Sequence, residues 1–308
     1  MEIKEKRVTV KGEFPLGATI TYTDDSKKSP AVVIIMGTGK LDRDGNGFGF
    51  RSNIYKYLAR TFAECGYVSA RYDKRGTHES GGSFNSTGLS DLVNDAISVI
   101  KYLKSLPYVD ENKIIVCGHS EGTMIATLVS EKEDTSGLIL LGGAATCLKD
   151  ALYYQNRLVA EDIPNMKGVV GAIIRKSFKL DKQLAKIDDM FIKSKETNKE
   201  KVSGIPAKWL REHGAYTSED YVNILKKYGK PVLAITGKAD VQADYHKLDA
   251  LRTESHITCV APEGLTHILR VNDGDNSIMN VKKLYKKQIN EPLDAGFIKM
   301  IKDWLGVC

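Results

Sequence analysis

A doubly wound α/β fold on a mostly parallel sheet is predicted by three features of this 308-residue sequence. Short, mostly continuous apolar runs recur along it, stretches with helical spacing separate them, and one long segment breaks the alternation. Continuous apolar runs suit strands buried on both faces of a parallel sheet. Strand following helix following strand makes right-handed parallel crossovers the natural topology.

The first two strands differ from the rest. KRVTVKG at 6–12 and ATITYT at 18–23 alternate in polarity and read as a hairpin turning on 12–17. The parallel strands follow: AVVIIM at 31–36, YVSARY at 67–72, KIIVCG at 113–118, GLILLG at 137–142, PVLAIT at 231–236 and HITCVA at 256–261. Helices are expected at 52–64, 89–105 and 121–130; in the second, Leu89, Leu92, Val93, Ala96, Ile97, Ile100 and Leu103 fall on one side. After the sixth strand the pattern breaks. Lysine-rich, helically periodic chain carrying Tyr153, Tyr154, Met166, Phe178, Met190, Phe191, Trp209 and Tyr216 runs until PVLAIT resumes the core. The expected organisation is a core of 1–146 and 229–308 with a helical insertion at 147–228 lying over the sheet edge.

Composition narrows the class. Hydrophobic residues make up 42% and charged residues 27%, the balance of a folded globular protein. MEIKEKRVTV is charged from its second residue and lacks the apolar core of a secretory signal, and no run of about 18 apolar residues occurs. A cytoplasmic protein without a membrane span is the expectation. The five cysteines are widely spaced with no CxxC pair, which argues against a disulfide framework and a zinc site. The net charge of +6 is concentrated in 151–230, which holds sixteen Lys/Arg against ten Asp/Glu. Acids interleave with these bases and no recognition motif accompanies them, so nucleic acid is not an expected partner. A solvated helical surface is favoured over attraction of an acidic substrate.

The chemistry concentrates in KIIVCGHSEGTMIATLV at 113–129. Gly118, His119, Ser120, Glu121 and Gly122 form G-x-S-x-G where a buried strand meets an amphipathic helix. Small flanking residues there let a serine take a strained conformation that exposes its hydroxyl above the sheet. Serine is a poor nucleophile without a base to remove its proton, so an imidazole and a group to orient it are required.

At these residues the chain resembles the α/β-hydrolase superfamily, in its serine esterase, lipase and serine-aminopeptidase-like branch. The resemblance covers about 17–146 and 229–270, with the intervening segment corresponding to that family's variable cap. It implies Ser120 as nucleophile, followed in chain order by the acid and then the histidine. The acid falls on Asp240 in TGKAD, with Asp244 as competitor at a helix start where a carboxylate has a capping role. Of six histidines, only His267 in APEGLTHILR follows the last predicted strand in a loop, and GLTHIL resembles the family's histidine loop. Backbone N–H groups of Thr38 and Glu121 are the expected oxyanion donors. Met36-Gly37 stands where relatives often carry His-Gly, which removes a side-chain donor but leaves the amide. RYDKRGTHESGG resembles the family's D-x-R-G-x-G-x-S turn with His78 in a glycine position, and Asp73 with Arg75 is expected to form a structural ion pair there.

The implied function is hydrolysis of small or medium acyl or aryl carboxylic esters through an acyl-serine, without cofactor or metal. Acyl-thioesterase and serine aminopeptidase activities use the same machinery and stay open, as does a non-catalytic ligand-binding homologue. Lys40, Arg43, Tyr153 and Trp209 are candidates to line the substrate pocket. The expected partner is a small-molecule ester, and a homodimer is left open.

LDRDGNGFGF at 41–50 starts like a calcium-binding EF-hand loop, with Asp42, Asp44 and Asn46 alternating before Gly47. The twelfth position is Asn53 rather than Glu, and the loop follows a strand, so calcium is disfavoured. It resembles the HG-x-G-x-x-D-R-D-G loop of certain α/β hydrolases. Asp42, Arg43 and Asp44 are therefore expected to make turn bonds and ion pairs that hold the Thr38 amide in place.

Overall fold

Alternate residues of each central strand enter two different cores, which is why the apolar runs are unbroken. In β3 (Ser29–Ile35), Ala31, Val33 and Ile35 join one cluster while Val32 and Ile34 join the other. The computed structural model describes residues 2–306. Its main sheet adds β1 (Lys4–Val10), β2 (Leu16–Tyr22), β4 (Val68–Tyr72), β5 (Val109–His119), β6 (Gly137–Leu141), β7 (Val232–Ile235) and β8 (Ile257–Val260). In space the order is β1-β2-β4-β3-β5-β6-β7-β8. The hairpin pairs antiparallel, β2 pairs antiparallel with β4, and every later neighbour is parallel.

Both faces of the sheet are covered. On one lie α2 (Leu89–Lys104) and α3 (Glu121–Val129), whose Leu92, Ala96, Ile100, Ile125 and Val129 are buried in the first cluster. On the other lie α1 (Ile54–Glu64), α9 (Val281–Gln288) and α10 (Ala295–Trp304), contributing Leu58, Phe62, Tyr285, Phe297 and Ile301. This is the mostly parallel, doubly wound sheet that the sequence predicts, with each predicted strand and helix at its expected place. β5 starts earlier than its apolar run because Val109 is already buried.

Between β6 and β7 come α4 (Leu148–Asp162), α5 (Gly168–Ser177), α6 (Leu180–Glu196), α7 (Ala207–His213) and α8 (Ser218–Tyr228). A two-stranded ribbon, Lys201–Val202 with Ile205–Pro206, also sits here; its strands are too short to leave a periodicity in the sequence. Thr217 caps α8 and Asp220 returns the bond to the Thr217 amide, a reciprocal capping box, while Gly229 closes the helix at φ 67°. α7 and α8 bury Leu210, Tyr221 and Leu225 in the cluster that covers the sheet. No helix among the described residues is long and apolar enough to cross a membrane.

Candidate active site

Ser120 stands between the end of β5 and the start of α3 at φ 57°, ψ −124°. A side-chain-bearing residue in that region costs about 1–3 kcal/mol, so the surroundings must hold it. They do so through the backbone: the Ser120 amide donates to the Leu141 carbonyl at 2.8 Å, and its own carbonyl accepts from the Thr123 amide at 2.9 Å and Thr123 Oγ1 at 2.7 Å. The flanking glycines are required by close approach. A Cβ on Gly118 would lie 2.1 Å from the Gly122 carbonyl oxygen, and one on Gly122 would lie 2.2 Å from that of Ile35. The motif thus presses the elbow onto β3, and Ser120 lines a cavity of about 560 Å³.

The loop after β3 touches the elbow directly, since a Cβ on Gly37 would sit 2.9 Å from that of Ser120. The Gly37 amide donates to the Tyr55 hydroxyl at 2.8 Å, and that hydroxyl lies 3.0 Å from His119 Nδ1. His119 Nε2 is 2.8 Å from the His267 carbonyl oxygen. Because a carbonyl only accepts, Nε2 carries the proton, and Nδ1 accepts from Tyr55. One buried chain of bonds therefore ties the Gly37 loop, the elbow and the His267 loop. Thr38, the next residue, lines the same cavity.

Burial, reinforced by His267 nearby, pushes the His119 imidazole down to about 3, so it stays neutral. A base whose folded pKa lies below its unfolded value contributes stability that is present above the unfolded value and lost as the pH falls towards the folded one. Between about pH 6.5 and pH 3 the unfolded chain takes up a proton here that the folded chain refuses. Urea unfolding across that range is expected to show a loss on the order of a few kcal/mol, and in His119→Asn this part of the pH slope disappears.

Asp240 and His267 come from the loops after β7 and β8. The Asp240 carboxylate is 2% exposed. Its Oδ1 accepts from the amides of Gln242 and Ala243 at 2.8 and 3.0 Å, and its Oδ2 lies 2.8 Å from His267 Nδ1. His267 lines the same cavity as Ser120. Its loop is folded around buried Arg270, whose guanidinium donates to the carbonyls of Ile268, Ser52 and Glu291 at 2.8–3.0 Å. Gly142, at φ 61°, leaves room for the pair: a Cβ there would come 3.2 Å from both Asp240 Oδ2 and His267 Nδ1. Asp244 instead caps the short 3-10 helix Tyr245–Leu251, accepting from the His246 amide at 3.0 Å.

The four pocket candidates separate. Trp209 lines the cavity. Lys40 does not, but its ammonium stands 4.9 Å from the ring centroid of Phe84, which does. Tyr153 faces away, its hydroxyl donating to Asp188 at 2.6 Å beside Lys149; Leu148, Ala151, Leu152 and Gln155 are the α4 residues at the cavity. Arg43 is turned away as well: its guanidinium is buried on Asp73 at 2.6 Å and pairs with Glu79. That pairing also replaces the expected Asp73–Arg75 bridge, because Arg75 is taken by Asp95 at 2.7 Å, by Glu13 at 2.7 Å and by Asp91 at 3.5 Å. His78, in the glycine position of that turn, adopts φ 44°, so the backbone there keeps the shape that glycine would give.

In the 41–50 loop, Asp42 Oδ1 accepts from the amides of Asp44 and Asn46 at 2.9 and 2.8 Å, and Asp44 pairs with buried Arg71 at 2.6 Å. The side chains that suggested a cation are engaged in turn bonds and ion pairs.

A buried polar group beside the nucleophile was not expected. Glu121 pairs with Lys74, accepts from the Trp209 indole N–H, and lies 3.1 Å from His213 Nε2. Burial by itself would raise the Glu121 carboxyl, but Lys74 and His213 override it and hold the group well below the usual carboxylate range. Its one signal in the sequence is a lone charge heading the otherwise uncharged, fully buried helix EGTMIATLV.

Known proteins carry the same arrangement of chain. The family model described as serine aminopeptidase, S33, matches residues 45–268. Esterase EstD of Thermotoga maritima is 25% identical over 289 residues, 91% of this chain and 63% of its own length, so the chain spans less than two thirds of that relative. Among solved structures, Est1E of Butyrivibrio proteoclasticus, with ferulic acid bound, superposes with a TM-score of 0.57 at 18% identity over 92% of this chain and 98% of its own. An esterase of Pyrococcus furiosus gives 0.55 at 14% identity over 99% and 92%. With the matched region running from the loop before α1 to the His267 loop, the chain belongs to the serine aminopeptidase S33 family of α/β hydrolases.

Proposed function

We propose that the protein hydrolyses carboxylic esters through an acyl-serine formed on Ser120. The observation that carries this reading is the convergence of a strained Ser120, a Gly37–Thr38 loop packed against it, and a His267 bonded to Asp240, all on one cavity. His267 Nδ1–H donates to the carboxylate, which leaves Nε2 free to take the serine proton. Ser120 Oγ then attacks the ester carbonyl, and His267 returns the proton to the leaving alcohol. Water attacks the acyl-serine with the same base. The carbonyl oxygen turns anionic in both steps, and this reading assigns the Thr38 and Glu121 amides to receive it; the Gly37 amide is already spent on Tyr55. Each such donor lowers the barrier by about 3–4 kcal/mol.

The cavity's charge favours esters over the other substrates open to this machinery. Among the described residues lining it, the charged side chains besides histidine are Lys74, Arg75 and Glu121. Lys74 and Glu121 neutralise each other, and Arg75 is held by Asp95, Glu13 and Asp91. An aminopeptidase substrate brings an ammonium that needs an uncompensated carboxylate, and none lines the cavity. A coenzyme A thioester brings phosphates that need an uncompensated cation, and none lines it either. Apolar side chains such as Leu92, Met124, Ile205 and Ile268 form most of the wall, which suits an apolar acyl or aryl group.

A fluorophosphonate probe followed by peptide mapping tests the reading together with a substrate panel. Stoichiometric labelling of Ser120 is expected, with p-nitrophenyl butanoate turned over faster than butanoyl-coenzyme A or aminoacyl amides. A folded protein that resists the probe would leave only a non-catalytic role, and faster cleavage of the amides would make it a peptidase.

A further inference from the structure

We propose that the Glu121 side chain is a positioning group that fastens α7 to the nucleophile elbow, and that Trp209, so held, is the wall that selects extended apolar acyl chains over acetyl. This rests on the ester-hydrolase reading above and deepens it. The backbone of Glu121 belongs to the elbow, whereas its carboxylate reaches across to the segment between β6 and β7, where it receives the N–H groups of Trp209 and His213. Those two residues stand four apart on α7, on one side of the helix, with their rings 4.6 Å apart. Glu121 itself is 3% exposed and Lys74 is 4% exposed, so the pair is shielded from solvent. A buried carboxylate with three partners has no alternative place to go, and α7 is thereby held in register with Ser120.

The consequence for substrate lies in what Trp209 can still offer. Its single polar atom is committed to Glu121, so the indole presents only ring surface to the cavity. Ile205 and Pro206 of the ribbon extend that surface, and Phe84, Leu92 and Met124 line the cavity from the core. The space these side chains bound receives from them no free N–H, O–H or charge to recognise an alcohol or an ionised group. An acyl chain of several methylenes, or an aryl group, fills it; an acetyl group does not reach it.

α7 has a second attachment that keeps the test interpretable. Lys208 pairs with Asp91 at 2.7 Å, and the Glu212 carboxylate accepts from the Ser90 amide at 2.7 Å, both on α2. Loss of the Glu121 bonds therefore loosens the Trp209 side of the helix without releasing it.

The experiment compares Glu121→Met, which has no oxygen acceptor for the Trp209 and His213 N–H groups, with Trp209→Phe and the two combined, and Lys74→Met/Glu121→Met is added so that no buried ammonium is stranded. The octanoate-to-acetate ratio of kcat/KM on p-nitrophenyl esters is expected to fall about tenfold in each single variant, with the loss in KM for octanoate. The combined Glu121→Met/Trp209→Phe variant is expected to fall no further, because both act on one wall. Losses equal for the two esters, or losses that multiply in the double variant, would overturn the proposal. A second readout needs no turnover: the chain has two tryptophans, so in Ser120→Ala/Trp304→Phe protein Trp209 is the only tryptophan and can be excited selectively, to the red of tyrosine absorption. Its emission is expected to respond saturably to octanoic acid, and to do so with weaker affinity once Glu121→Met is added. An emission indifferent to octanoic acid counts against the wall whatever the activity shows, whereas ester hydrolysis surviving in Ser120→Ala counts against the acyl-serine alone.

Discussion

Ser120→Ala is expected to lower kcat for p-nitrophenyl butanoate by about 10⁶-fold while the protein stays folded. The size follows from what the hydroxyl does. On the proposed mechanism no acyl-enzyme then forms, and hydrolysis falls back on water attacking an ester that the cavity merely holds beside the proposed amide donors, a residue of about 10³–10⁴ over the uncatalysed rate. The fold is expected to survive because nothing structural hangs on Oγ. The elbow's bonds run through the Ser120 amide and carbonyl, to Leu141 and Thr123, and alanine keeps both. Alanine also has the same Cβ as serine, so the left-handed φ of 57° is no more strained than before. Matching thermal unfolding curves with a residual rate near background is the expected pair of measurements. A folded variant that keeps a tenth of the activity would move the nucleophile elsewhere.

How much of this was legible in the sequence depends on the range over which each feature is encoded. The strands were readable because burial on both faces demands apolar residues at every position, as Val32, Val33, Ile34 and Ile35 show. The elbow was readable because its requirement is local: Gly118 and Gly122 answer to backbone atoms brought close by the turn itself and by the neighbouring β3. That Asp240 and His267 lie in the loops after β7 and β8 was legible from those strands, but it was the family resemblance that paired them. An ion pair of Arg43 was expected, but its partners, and so its absence from the pocket, were not legible, since Asp73 and Glu79 are distant in the chain and any nearby acid would have served as well on paper. Tyr153 was misread for a related reason. Which side of α4 meets the cavity is set by how the helix docks, and Tyr153 fell on the side that meets Asp188 of α6. The Glu121 cluster joins three separate segments, so only its lone buried charge left a trace in the sequence.

Asp240→Asn is expected to cost about 10⁴-fold in kcat with little change in KM, and the geometry explains why so small a substitution does so much. Asp240 uses its two oxygens differently. Oδ1 accepts from the amides of Gln242 and Ala243, and Oδ2 faces His267 Nδ1. An asparagine amide has one oxygen to offer, and two backbone N–H groups on the Oδ1 side require an acceptor there. The NH₂ end is thereby turned towards His267 and presents a proton where the imidazole also carries one. The ring answers by moving its proton to Nε2 and accepting through Nδ1. That tautomer has no lone pair at Nε2 to take the proton of Ser120, so the base of the proposed mechanism is disarmed although no atom has moved far. Asp244→Asn is the matched control, because that residue caps the helix at Tyr245 and its side chain does not meet His267. Steady-state kinetics on the two variants should therefore diverge by orders of magnitude, and equal activities would remove Asp240 from the reaction.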